Sequence, residues 1–200
     1  WRAAVAVESS GEDSLADRAV LLASRASDRD RLLILAHVGA TRSDLGALAA
    51  AESLAKRFPE DPEALIRAAQ VIPNLSRALA LLERAVVRDS SAGIDAGFTC
   101  RLCEALRLSA HRYDWADSSA GVERTLTRWN RLRPADPEPW MVRADYLIRL
   151  GRRAAAESSY SRGLALGATA IEPKARELLW SLRTDDLEGA DAVCRGTLGA

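Results

Sequence analysis

The sequence predicts an all-α protein built as an array of about six antiparallel helix hairpins. Alanine, the best helix former and a poor strand former, supplies 38 of the 200 residues, whereas aromatic residues supply only 5%. Apolar residues recur at helical spacing along most of the chain, with turn signals between the runs. A small–medium–small pattern also returns at intervals near 34 residues. A period of that length built from helix pairs is typical of a solenoid.

The repeated pattern marks the second helix of each predicted hairpin, where residues i, i+4 and i+7 share one face. Its first members are residues 16, 47, 78, 122, 156 and 190, so the intervals are 31, 31, 44, 34 and 34 residues. The one long interval predicts an insertion, which we assign to the polar, turn-rich segment 109–121. The six triplets are Ala16/Val20/Ala23, Ala47/Ala51/Leu54, Ala78/Leu82/Ala85, Val122/Leu126/Trp129, Ala156/Tyr160/Gly163 and Ala190/Cys194/Thr197.

The helix boundaries follow from capping signals. Asp-Pro-Glu occurs at 61–63 and at 136–138, where the aspartate caps a helix and the proline suits its first position. Gly151 ends the helix that begins near 136. Pro73 ends another near Val71, and the next helix opens with Asn74 and Leu75. The predicted hairpins, which form one continuous domain over residues 1–200, are 1–26, 28–58, 61–89, 92–133, 136–167 and 171–199.

Residues 138–168 resemble a tetratricopeptide repeat. An aromatic residue opens the first helix, a small residue follows four positions later, a glycine marks the turn, and small–aromatic–small positions follow in the second helix. The residues at these places are Trp140, Ala144, Gly151, Ala156, Tyr160 and Gly163. The other hairpins match more loosely. The resemblance implies a right-handed superhelical array whose first helices line a concave groove that holds a peptide or helix of a partner protein. Gly163 is expected to pack closely beside Trp140 or Tyr160.

The matched positions of this family imply which residues line the groove. They are Leu33 and His37 in the second hairpin, Ile66 and Gln70 in the third, and Met141, Asp145 and Ile148 in the fifth. Trp180, in the last hairpin, either faces the groove or belongs to the core. Trp140, Tyr160 and Trp129 are assigned to the core. Tyr113 and Trp115, in the predicted insertion, either plug that loop or form an exposed recognition patch.

Residues 16–65 are also similar to helical-repeat segments that follow bacterial serine/threonine kinase domains or are fused to transcriptional activators. With 26 arginines and two lysines, the composition agrees with a GC-rich bacterial source. The chain starts at Trp1 inside a helix-like run, so we expect a piece of a longer protein. The expected function is a non-catalytic protein–protein interaction module of a bacterial regulatory protein. The alternative is a ligand-sensing domain attached to a kinase or transcriptional regulator.

Charge balance bears on the class of partner. Lys+Arg and Asp+Glu both number 28, so no net field attracts nucleic acid or an anionic membrane. The expected partner is a protein or peptide, which another domain of the same chain could supply. We expect no nucleic acid, no direct membrane insertion and no cofactor. The two histidines are far apart and form no recognisable catalytic group, so no enzymatic activity is expected.

The three cysteines bear on the location of the protein and on its chemistry. Three cysteines cannot form a disulfide framework, so a reducing compartment, the cytoplasm, is the expected location. Cys100 and Cys103 form a lone C-x-x-C, which we place inside a helix and assign to packing. Neither a zinc site nor a redox pair is expected there, because further zinc ligands and a preceding strand are missing from the sequence pattern.

Overall fold

The structure, a computed structural model, describes residues 16–42, 45–90, 100–168, 181 and 187–198. Every regular element in these ranges is an α-helix, which confirms the all-α prediction. Residues 16–23 form the described part of α1. The helices that follow are α2 (Asp28–Thr41), α3 (Leu45–Arg57), α4 (Pro62–Val71), α5 (Leu75–Ser90), α6 (Arg101–Trp115), α7 (Ser119–Leu132), α8 (Glu138–Arg149), α9 (Arg153–Ala165) and α10 (Leu187–Leu198).

The chain divides into two compact units, residues 1–112 and 113–200. The boundary falls in the last turn of α6. The prediction of a single domain over 1–200, with its six hairpin ranges, stays a prediction.

In the first unit, α2 packs on α3, and α4 packs on α2, α3 and α5. Helix α4 is consequently enclosed on most sides, and Ala64, Leu65, Ile66, Ala68 and Ala69 have no exposed surface. Burying the leucine and isoleucine alone contributes roughly 2 kcal/mol each. Helix α4 therefore forms the centre of this unit's core.

The two Asp-Pro-Glu sequences open helices as predicted. The Asp61 carboxylate accepts hydrogen bonds from the backbone N–H groups of Glu63 (2.9 Å) and Ala64 (3.3 Å) at the start of α4. Asp136 accepts one from the N–H of Glu138 (2.9 Å) at the start of α8. Each carboxylate satisfies N–H groups that lack partners inside the helix.

The predicted helix ends are also confirmed. Helix α4 ends at Val71, and the Asn74 side chain caps α5 by accepting from the N–H of Arg77 at 2.9 Å. Beyond α8, Gly151 has φ +72, a conformation that costs glycine little. The N–H of Arg152 reaches back to the carbonyl of Leu147 at 2.9 Å, which closes the helix end.

In the second unit, α7 packs on α8 and α8 packs on α9. Trp129 of α7 is fully buried, and its indole N–H donates to the Asp136 carboxylate at 3.0 Å. Trp129 is therefore in the core, as predicted, and it also fixes the residue that caps the next helix.

The repeated small–medium–small pattern identifies the buried stripe of the second helices. Its residues in α3, α5 and α7 are at most 3% exposed. The pattern is less complete near the described ends of the chain, where Val20 is 37% exposed and Cys194 is exposed. The spacing thus locates the core most accurately away from the described ends of the chain.

The close contact between α2 and α3 depends on Gly39. Adding a methyl group at this position is therefore expected to disturb it. A Cβ atom on Gly39 of α2 would lie 2.8 Å from Ala47 Cβ and 3.2 Å from Ala47 Cα in α3. Because the second of these atoms is backbone, the two helices would have to separate. We expect Gly39→Ala to lower the free energy of unfolding by about 1–3 kcal/mol, measured by urea denaturation.

Gly196 provides the matched control for this substitution. It lies in α10 with nothing within 4 Å of an added Cβ. There, Gly196→Ala is expected to stabilise the protein by about 0.5–1 kcal/mol, through helix propensity alone. A Gly39→Ala protein as stable as the unsubstituted chain, or more stable, would contradict the close α2–α3 contact.

The predicted insertion at 109–121 is wrong. Helix α6 continues to Trp115 and α7 begins at Ser119, so only residues 116–118 connect them. Asp117 has φ 52, and the Ser118 side chain caps α7 through the N–H of Gly121 at 3.3 Å. These polar residues signalled a turn correctly, but the turn is short, and the residues before it are helical.

The predicted partner of Gly163 is also corrected. A Cβ atom on Gly163 would lie 2.5 Å from Met141 Sδ, and neither Trp140 nor Tyr160 is among the nearest atoms. Trp140 and Tyr160 are only partly buried, and the Arg143 guanidinium lies 5.7 Å from the centre of the Trp140 ring. Met141, at 2% exposure, is the residue of α8 that fills the contact with α9.

Within the described part of the chain, no helix has both the length and the hydropathy needed to span a membrane.

Candidate functional site

Helices α2, α4 and α6 are connected at their N-terminal ends by a network of ion pairs. Arg29 of α2 pairs with Asp61 and, at 2.9 Å, with Glu63 of α4. Glu63 also pairs with Arg101 of α6 at 3.0 Å. A further pair joins α4 to α6, because Arg67 lies 3.3 Å from Glu104. All of these residues belong to the first unit.

Asp61 has two functions in this network, since it caps α4 and accepts a hydrogen bond from Arg29. Burial of the carboxyl group acts to raise the pKa of Asp61. The hydrogen bonds from Arg29 and from the N–H of Ala64, which favour the ionised form, outweigh it, so this pKa lies below its usual value. The hydrogen bond with Asp61 likewise raises the pKa of Arg29.

Arg112 of α6 joins this helix to α4 at their C-terminal ends. Its Nη2 group lies 2.6 Å from the carbonyl oxygen of Ala69, 2.8 Å from that of Gln70 and 3.2 Å from that of Ile72. The first two carbonyls belong to the last turn of α4 and the third to Ile72, directly after the helix, where the helix dipole favours a cation. Burial lowers the pKa of Arg112. Since the N-terminal ends meet at Glu63–Arg101 and the C-terminal ends at Arg112, α4 and α6 run side by side in the same direction.

From the ion pairs, a stripe of partly exposed side chains continues along each helix. Arg29, Leu33 and His37 follow at four-residue intervals on α2, and Glu63, Arg67 and Gln70 follow on α4. On α6 the corresponding positions are Arg101, Glu104, Leu108 and His111. Each stripe lies on one side of its helix because the spacing is helical. We call the surface formed by these ten residues the α2–α4–α6 face.

The structure separates the predicted groove residues into two groups. Leu33 is half-buried, and His37 and Gln70 are exposed, all three on the α2–α4–α6 face. Ile66, at 0% exposure, points into the core, and its neighbours at positions 64 and 65 are equally buried. A side chain without exposed atoms offers a partner nothing to touch, so Ile66 is a core residue.

The predicted residues of the fifth hairpin lie in the second unit. Met141 (2% exposed) and Ile148 (9%) are core residues, and the half-buried Asp145 lies between them in the sequence. Trp180 lies outside the described residues. The role of Leu33, His37, Gln70 and Asp145 in binding stays a prediction.

Sequence reasoning missed the charged residues of the face. Arg29, Arg67 and Glu104 were not singled out, because arginine and glutamate are common on solvated helix surfaces. One signal was present in the sequence: Arg29 and Glu63, and likewise Arg67 and Arg101, are each 34 residues apart. An opposite-charge pair at the predicted period, such as Arg29 and Glu63, favours contact between the two helices that carry it.

A separate cavity of about 460 Å³ lies between α1 and α2 in the first unit and is open to solvent. Its charged lining residues, Asp28 and Arg31, pair with each other at 3.1 Å. Asp28 also pairs with Arg57, so both charged lining residues already have partners within the protein. The volume of the cavity is in the range of ligand pockets, but the ligand-sensing alternative stays a prediction. The lining residues are Val20, Ala23, Ser24, Ala26, Asp28, Arg31 and Leu35.

The assignment of Cys100 and Cys103 to packing inside a helix is corrected. A disulfide joins the two residues, with 5.1 Å between their Cα atoms. Cys100 precedes α6, so the pair opens the helix. Among the residues that the structure describes, no group of three or more His, Cys, Asp or Glu side chains could hold a metal ion.

The sequence left open whether Tyr113 and Trp115 plug a loop or form an exposed patch, and the structure places the two residues differently. The Tyr113 ring packs against Gly121 of α7, where an added Cβ atom would overlap it. Trp115 is 72% exposed. Tyr113 therefore packs beside the short connection, and Trp115 presents its ring to solvent.

The Asp61 network predicts a pH dependence of stability. Because the folded-state pKa of Asp61 is lowered, its contribution is present above the unfolded value of about 3.9 and is lost as the pH falls through the folded value. Asn can still cap the helix, so Asp61→Asn removes chiefly the charge. We expect this substitution to lower the free energy of unfolding by about 1–2 kcal/mol at pH 7 and by less at pH 3, measured by urea denaturation at both pH values.

Glu188→Gln, an exposed substitution in the first turn of α10, is the control for this pH dependence. It is expected to alter stability by less than about 0.5 kcal/mol at both pH values. A loss for Asp61→Asn that is equal at pH 7 and pH 3 would contradict a role for the ionised carboxylate.

Comparison with models of known protein families finds no match for this sequence, and comparison with curated proteins finds no significant match.

Proposed function

We propose that this protein is a non-catalytic protein–protein interaction module that holds a peptide or helix of a partner on the α2–α4–α6 face. The proposal includes a tetratricopeptide-like superhelical array, in which such faces of successive first helices form the concave side. It also retains the regulatory role in a bacterial protein that the sequence resemblance implies. The partner is a protein or peptide, which another domain of the same chain could supply.

One observation carries the proposal: α2, α4 and α6 are joined in register at their N-terminal ends, although other helices separate them in the sequence. Helix α3 also packs on α4, and in the second unit α7 packs on α8. This order is what a stack of helix pairs requires. Three adjacent helices of ten or more residues present a surface about 15 Å long, which accommodates an extended peptide of about five residues.

The charges on this surface narrow the chemistry of the partner. Arg29, Arg67 and Arg101 are paired with Asp61, Glu63 and Glu104, and Arg29 also pairs with Asp30, so every arginine of the network is compensated by a carboxylate. The side-chain oxygen of the exposed Gln70 accepts from Arg67 at 2.9 Å, so the side-chain NH₂ group of Gln70 is not used in this contact. Leu33 adds apolar area. We therefore propose that recognition uses hydrogen bonds and apolar contact, with little dependence on the charge of the peptide.

A selection from a random peptide library tests the proposal. We expect peptides that bind with micromolar Kd, and we expect Kd to change less than about threefold between 50 and 300 mM salt. Introducing charge on the face by His37→Glu or Gln70→Glu should weaken binding at least about tenfold, because a buried, unpaired carboxylate costs more than 1.4 kcal/mol. Fluorescence anisotropy with a labelled peptide measures the effect.

Lys56→Glu is the matched control, since it adds the same side chain at an exposed position on α3, a second helix. It should leave Kd unchanged. Peptides that lose affinity with Lys56→Glu and keep it with His37→Glu would place the binding surface elsewhere. Failure to enrich any peptide would contradict the proposed function itself.

A further inference from the structure

The start of α6 combines several features around one disulfide. Cys100 stands directly before the helix, and its sulfur accepts a hydrogen bond from the N–H of Cys103 at 3.2 Å. The Cys100 carbonyl accepts the next helical bond, from the N–H of Glu104, at 3.0 Å. The sulfur of Cys100 therefore occupies the position of a helix cap, where N–H dipoles favour a thiolate over a thiol.

The two sulfur-bearing residues differ in access. Cys103 is 6% exposed, whereas Cys100 is only partly buried. A thiolate from solution can therefore approach Cys100 more readily than Cys103. Such asymmetry is what a C-x-x-C pair needs to react at one sulfur while it protects the other.

The surrounding charges are largely compensated. Arg101 pairs with Glu63 and Glu104, and the Asp89 carboxylate accepts a hydrogen bond from the N–H of Leu102 at 2.7 Å. Asp89 takes up part of the positive potential at the start of α6. Reactivity at this pair consequently depends on access to Cys100 and on the Cys103 N–H, more than on neighbouring arginines.

We propose that Cys100 and Cys103 form a thiol–disulfide exchange site that reacts, through Cys100, with small-molecule thiols and their disulfides. A thiolate RS⁻ attacks the Cys100 sulfur and forms a mixed disulfide, and the electron pair of the broken bond leaves with Cys103, which takes up a proton. A second thiolate attacks the R-bearing sulfur and releases Cys100. The sum is protein disulfide plus two RSH giving protein dithiol plus RSSR, a two-electron exchange that also runs in reverse.

The test uses the full chain with Cys194→Ser, because Cys194 is an exposed free thiol that would compete. The protein is equilibrated with reduced and oxidised glutathione at several ratios, alkylated, and analysed by mass spectrometry. We expect the disulfide to open and re-form reversibly while the circular dichroism stays helical. Glutathione trapped early in reduction should be attached to Cys100. A disulfide that resists reduction until the helices unfold would overturn the proposal, and so would early adducts found mainly on Cys103.

Two single-cysteine variants in the same background give an independent measurement. Cys103→Ser leaves Cys100, and Cys100→Ser leaves Cys103, so both variants lack the disulfide equally. With oxidised glutathione, Cys100 should react at least about tenfold faster, in keeping with its greater access. Equal rates in the two variants would count against an asymmetric site, and the trapping experiment decides the question even if neither variant folds.

Discussion

Replacing Trp129 with alanine is expected to destabilise the protein by about 3–5 kcal/mol, the range for removing a fully buried aromatic side chain. Trp129 has no exposed surface and fills the space between α7 and its neighbours in the second unit. Its indole N–H also donates to Asp136, the residue that caps α8. The substitution therefore leaves a cavity and loosens the start of the next helix. Urea denaturation followed by circular dichroism measures the change.

Two further tryptophan variants separate these contributions. Trp129→Phe keeps most of the packing and removes the N–H donor, so a smaller loss of about 1–2 kcal/mol is expected. Trp115→Ala serves as the matched control, because Trp115 is 72% exposed and its removal should cost less than about 0.5 kcal/mol. Equal losses for Trp115→Ala and Trp129→Ala would show that the assigned burial is wrong.

Arg112→Ala is expected to lower the free energy of unfolding by about 3 kcal/mol, which is the second large effect. The guanidinium lies within hydrogen-bond distance of three backbone carbonyls at the end of α4. Hydrogen bonds to a charged group contribute about 1.5–3 kcal/mol, and partly buried carbonyls left without a donor add a desolvation cost. Loss of Arg112 should therefore weaken the contact between α4 and α6. Chemical denaturation of the purified protein provides the measurement.

Arg112→Lys and Arg124→Ala complete this experiment. A lysine ammonium can reach fewer acceptors in fixed geometry, so it should recover only part of the stability. Arg124 is an exposed arginine on α7, and its replacement by alanine should change stability by less than about 0.5 kcal/mol. If Arg112→Ala were as mild as Arg124→Ala, water would serve these carbonyls as well as the guanidinium does.

Much of the helical framework was predictable because it depends on local chemistry. Asp61 and Asp136 cap helices, Pro73 separates two, and Gly151 ends one, each through backbone geometry that the residue type favours by itself. The core stripe of the second helices was predictable as well. Small residues at helical spacing permit close approach of a neighbouring helix, so the face that carries them is expected to be buried.

The errors arose where the outcome depends on which neighbours surround a helix. Ile66 was expected in a groove, but α4 is covered by α2, α3 and α5, so even the side of the helix that carries Ile66 is buried. Segment 109–121 has the composition of a loop, yet Arg112 and Asp114 form specific contacts that a helix positions well. Composition reports polarity, and it does not distinguish a solvated loop from a helix that uses polar groups for tertiary contacts.

The double role of the capping aspartates has a consequence for how the protein unfolds. Asp61 begins α4 and is held by Arg29 of α2, and Asp136 begins α8 and is held by Trp129 of α7. The start of each of these helices is thus stabilised by a residue from an earlier helix. When the earlier helix melts, the next one loses its first turn, so local opening should spread toward the C-terminus within each unit. Hydrogen exchange at the first turns of α4 and α8 should consequently follow the opening of α2 and α7.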